Sequence, residues 1–169
     1  MLAEYIILAI LLIASMICDI REYRVRNIVT LPALAAGLGL GLIKKGLPGL
    51  ADSAIAAFIP AAALFALYAL RMLGAGDIKL FCAVGAVMGI KYVLCAMAFS
   101  FLAGGIMALI IMVARRNLRQ RLRHIRTYLK TCVFTGSIVP YTDFGDKSDG
   151  SKFHFSPAIA AGCLIACIF

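Results

Sequence analysis

Long uncharged runs separated by short charged stretches set the pattern of this chain, at 5–18, 28–43, 53–70, 80–90, 92–113 and 153–169. Each run predicts an apolar helix, and together they predict about six membrane spans. Several are shorter than the roughly 20 residues that a hydrocarbon core of about 30 Å demands. Flanking Lys and Arg must then snorkel, or the helices must extend into their polar flanks. The run at 80–90 is the shortest. If it crosses, the Asp77 end lies near or below the bilayer surface.

Composition sharpens this into a class. The chain has 169 residues, is 63% apolar with only 15% charged residues, and has a mean hydropathy of +0.99, which excludes a soluble globule of ordinary make-up. The expectation is an all-α integral membrane protein, a bundle of about six transmembrane helices forming one polytopic domain over 1–169. Lys and Arg mark the cytoplasmic side. With the N-terminus outside, fourteen of them fall inside, and Lys44, Lys45 and Lys91 fall outside. Both termini are then outside, and Asp19 and Asp77 both face the cytoplasm. The first run carries Glu4 ahead of it and its basic residues after it, as in a retained helix rather than a cleaved signal.

Other candidate chemistry is thinner. The six cysteines (18, 82, 95, 132, 163 and 167) include no Cys-x-x-Cys pair, and buried thiols acting as small hydrophobes account for them. His124 and His154 have no carboxylate or thiol at ligand spacing, so no metal site is expected. The segment 114–131 holds seven positive charges, with Leu118, Leu122, Ile125 and Leu129 at helical intervals. Such a helix suits the anionic cytoplasmic leaflet, as a topogenic signal or as a dock for an acidic substrate segment. Aromatic interleaving is absent apart from Tyr128, so nucleic acid is not an expected partner. The polar loop at 141–152 carries Asp143, Asp146 and Asp149 but lacks the ligand alternation and closing glutamate of a calcium loop.

Asp19 and Asp77 stand apart from all this. A carboxylate at a bilayer boundary is costly, and by default it marks function. Two on one side suggest a dyad, with one ionised as base towards water and the other protonated to polarise a carbonyl. Gly74 and Gly76 precede the second aspartate, and their lack of side chains allows unusual dihedrals and close approach of a substrate backbone. The plain alternatives are a helix N-cap at Asp77 and a mere flanking position at Asp19.

The segments Asp19-Ile-Arg-Glu-Tyr-Arg-Val-Arg-Asn27 and Leu73-Gly-Ala-Gly-Asp-Ile-Lys-Leu80 resemble the two signature segments of the type IV prepilin leader peptidases, membrane-embedded GxGD aspartic peptidases. The resemblance continues through Gly85 and Gly89, and more weakly to Phe155-Ser-Pro-Ala-Ile-Ala-Ala-Gly162. It implies a six-helix fold with Asp19 and Asp77 as the catalytic pair, supported by Gly74, Gly76, Lys79 and Asn27, and no cofactor. It also implies a bacterial or archaeal cell membrane and a prepilin or pseudopilin substrate, whose short basic leader is cut just ahead of an apolar helix. Arg26 and His154 stand where relatives often have proline. The paired Cys-x-x-Cys motifs that accompany N-methylation in larger relatives are not found, so the chain resembles the short peptidases of tight-adherence (Flp) pili. The rival reading is a small proton- or cation-coupled transporter using the two aspartates.

Overall fold

The structure, a computed structural model, describes residues 2–22, 25–70, 72–114 and 155–168. Five helices account for most of them: α1 (Leu2–Glu22), α2 (Asn27–Ala69), α3 (Ala75–Met88), α4 (Ile90–Ala114) and α5 (Ser156–Ala166). No strand occurs among the described residues. The basic segment from Arg115, the loop at 141–152, His124, Cys132 and His154 lie outside them. Among the described residues three helices, α1, α2 and α4, are long and apolar enough to cross a membrane. The 21 residues of α1 rise about 31 Å, matching the hydrocarbon thickness.

The runs at 28–43 and 53–70 belong to one helical element. The polar interval between them is helical on both sides of a single residue, Gly46, whose φ of 65° and ψ of −148° break the helix. An L-residue is strained at that φ, and glycine is not. Pro48 follows in the first turn of the second arm, where its missing N–H costs no hydrogen bond. A Cβ on Gly41 would overlap the Ser53 side chain and the Gly49 carbonyl. Residues 41 and 53 would stand about 18 Å apart along a straight helix, so α2 doubles back at Gly46.

The short α3 lies against both arms. Gly37 on the first arm meets the backbone of Ala86 and Val87, and Gly85 meets the backbone of Ala56 on the second. Close approach at small residues is how helices associate in lipid, where burying apolar surface gains little. The chain reverses again at Gly89, whose φ is 89°. The rings of Phe81 on α3 and Phe101 on α4 then stack with centroids 6.4 Å apart.

α5 runs antiparallel to α4. The Tyr92 hydroxyl donates to the Cys163 carbonyl at 2.6 Å, Gly162 sits on Ser100, and Phe155 lies against Gly104. Both glycine reversals fall at one end of the bundle. The other end therefore collects the C-terminus of α1 and the N-termini of α2, α3 and α5.

Candidate active site

Asp19 occupies the last turn of α1, at the end of a buried row formed by Leu8, Leu11, Leu12, Ser15 and Asp19. Three- and four-residue intervals place this row on one helix face. Ser15 is accommodated by donating its hydroxyl to the Leu12 carbonyl at 2.9 Å. Asp19 itself is 7% exposed, and its Oδ2 accepts the Ser156 backbone N–H at 3.2 Å. That amide opens α5 and is among the first-turn donors with no partner inside the helix. Pro157, the next residue, offers no N–H at all.

Asp77 sits half-buried in the first turn of α3, three residues after the N-cap Gly74. The plain N-cap reading of Asp77 is therefore corrected: Gly74 holds that position, and Asp77 bonds back to it. The Asp77 N–H donates to the Gly74 carbonyl at 3.2 Å, and the Asp77 carboxylate accepts from the Gly74 amide. A residue at this third helical position reaches back to the cap in the same way in a capping box. Asp19 ends α1 and Asp77 begins α3, so two acids 58 positions apart in sequence lie at the same end of the bundle.

The glycines work differently from the expectation of unusual dihedrals. Gly74 has an ordinary extended backbone, with φ −75° and ψ 144°. Among the described residues, only Gly46 and Gly89 have positive φ. What Gly74 and Gly76 supply is space. A Cβ on Gly74 would lie 3.1 Å from Asp77 Oδ2, and a Cβ on Gly76 would lie 3.2–3.3 Å from the Cβ, N and O of Val25. Val25 is buried in the link between α1 and α2, so the missing side chain of Gly76 lets the segment after Asp19 dock on the segment carrying Asp77.

Lys79 and Asn27 meet directly, with Lys79 Nζ donating to Asn27 Oδ1 at 2.9 Å. This bond ties the start of α2 to the first turns of α3. Close by, Arg26 pairs with Glu22 at 3.3 Å, both well exposed. All six candidate residues thus gather at one end of the bundle. A cavity of about 440 Å³ opens at the opposite end, where Lys44 bonds Glu4 at 2.5 Å, and neither aspartate lines it.

Residues 6–109 match the type IV leader peptidase family. The chain belongs to that family. The match spans Asp19, Asn27, Gly74, Gly76, Asp77 and Lys79, and it ends before α5. No curated protein and no solved structure matches the chain. Family membership and apolar helices make this a membrane peptidase of the prepilin-leader type.

Two further residues contribute to this end, Val25 and Ser156. Val25 had no distinguishing signal, because its importance lies in what it touches. Ser156 did carry one: a serine before proline at the head of an apolar run is a helix-start signature.

Proposed function

We propose that this protein is an aspartic endopeptidase that removes the short basic leader of a prepilin-like substrate, with Asp19 and Asp77 as the catalytic pair. The observation that supports this best is the placement of Asp19, in the last turn of one apolar helix, and Asp77, in the first turn of another, at the same end of the bundle. Two carboxyls brought close together hold one proton between them more readily than two charges. The ionised member takes a proton from water as the oxygen attacks the scissile carbonyl carbon. The protonated member donates to the carbonyl oxygen, giving a neutral gem-diol. Collapse breaks the C–N bond as the leaving nitrogen gains a proton from the protonated carboxyl and a gem-diol hydroxyl gives its proton to the ionised one, which restores the shared proton.

The placement suits the substrate. A prepilin carries its scissile bond where a basic leader joins an apolar helix, at the depth where α1 ends and α3 begins. The kink at Gly46 supports a six-span topology, since each arm of α2 forms its own pass beside α1, α3, α4 and α5. In that topology, with Lys and Arg concentrated on the aspartate side, the site faces the cytoplasm and both termini lie outside. Lys79 and Asn27 brace the site, and leader removal is the activity assigned to it.

The test is co-expression with a prepilin from the same genome, following leader loss by mobility shift for the intact enzyme, Asp19→Asn and Asp77→Asn. Asparagine keeps the size and removes the acid. Loss of cleavage in both variants at normal membrane levels is the expected result. Continued cleavage in either sinks the dyad and turns attention to proton or cation flux.

A further inference from the structure

Two buried side-chain hydroxyls among the described residues have no hydrogen-bond partner, those of Thr30 and Ser156. Both belong to the aspartate end. Thr30 lies one helical turn beyond Asn27, and Ser156 is the residue whose amide contacts Asp19. Ser156 is fully buried. An orphaned hydroxyl at that depth costs stability, because it has lost water and gained nothing in return. Such a group in a folded protein calls for an explanation of its own. Serines elsewhere in this bundle show the usual solution: Ser15 and Ser100 both donate to the carbonyl of a preceding turn.

Ser156 is the first residue of α5 and makes no such bond. What it has within reach is Asp19. Its own amide lies 3.2 Å from Asp19 Oδ2, and a change of χ1 between staggered wells swings the hydroxyl about that amide.

We infer that Ser156 is a positioning residue for Asp19, its hydroxyl donating to the Asp19 carboxyl during turnover beside the amide that already does so. Two donors from one residue fix the rotation of the carboxyl, keeping its other oxygen aimed at the attacking water. The inference rests on the assignment of Asp19 to the catalytic pair. It adds a residue from outside the segment that matches the family.

The substitution Ser156→Ala separates this role from a structural one. It deletes the orphaned hydroxyl and keeps the amide, so the fold loses no hydrogen bond and sheds a buried unsatisfied group. The experiment uses the full-length enzyme in detergent micelles with a synthetic peptide spanning a basic leader and the start of an apolar helix. Wild type, Ser156→Ala, Ser156→Thr and Asp19→Asn are compared by kcat, KM and thermal midpoint.

For Ser156→Ala the expected result is a fall in kcat of about tenfold, the scale of one hydrogen bond to a charged group. KM stays within about twofold and the midpoint is unchanged or higher, while Ser156→Thr recovers most of the rate. An unaltered kcat in Ser156→Ala, with Asp19→Asn inactive, overturns the role of Ser156 and leaves the dyad standing. A lowered midpoint accompanying the lost rate also overturns it, in favour of simple packing. Full activity in Asp19→Asn, or none in wild type, removes the dyad and this inference together.

Discussion

Lys79 on α3 donates to Asn27 at the first residue of α2 over 2.9 Å, a side-chain bond across 52 positions that fixes the start of one helix against the start of another. Because the bond is exposed, its worth to stability is small, on the order of 0.5 kcal/mol. Its geometric effect is larger, since Lys79 is two residues from Asp77 and Asn27 opens the helix that follows Val25. A double-mutant cycle with Lys79→Met and Asn27→Ala is expected to show little effect on thermal midpoint and clear non-additivity in the cleavage rate. Rates that multiply independently would show that the bond does not brace the site.

Gly74→Ala and Gly76→Ala are expected to fail for different reasons. The new methyl at position 74 presses on the Asp77 carboxylate, a side-chain end that can rotate away. Cleavage should then fall steeply with membrane levels close to normal. At position 76 the methyl meets the Val25 backbone, which cannot yield without moving the link between α1 and α2. That variant should lose both activity and about 1–3 kcal/mol of stability, the usual cost of overpacking. Equal thermal midpoints for the two would contradict this distinction.

Gly85→Ala probes the fold away from the site. The added carbon would collide with the Ala56 backbone where α3 meets the second arm of α2. Backbone against backbone leaves no rotamer to relieve the clash, so a drop in thermal midpoint and in membrane level is expected. Gly39, whose Cβ position is open, is the matched control, and Gly39→Ala should be neutral or slightly stabilising. Similar midpoints for the two variants would refute the close packing of α3.

A carboxyl pair sharing one proton gives a bell-shaped dependence of kcat/KM on pH, whose limbs belong to the pair rather than to either residue. Cleavage of a leader peptide followed from pH 4 to pH 9 checks this. A flat profile would count against the shared proton.

The apolar runs located the helices because exclusion of charge over a membrane's thickness is written residue by residue. The same chemistry hid the faces. In α1, Leu8 and Leu11 are buried while Ile10 and Ile13 are exposed, and all four are equally apolar, so only Ser15 and Asp19 betray the inward side. Nor does the polar interval at 44–52 announce that helix persists up to Gly46 and resumes beyond it. That depended on one positive φ and on the approach of Gly41 to Gly49.

The sequence by itself determined the membrane class, the helical content, the two exceptional acids and the family, because each rests on local composition or short motifs. Tertiary structure alone decided that α2 doubles back, that Gly74 and Gly76 provide space rather than unusual torsions, and that Asp19 answers to Ser156 at the far end of the chain. These are contacts between segments distant in sequence, set by which small residues let backbones close on one another.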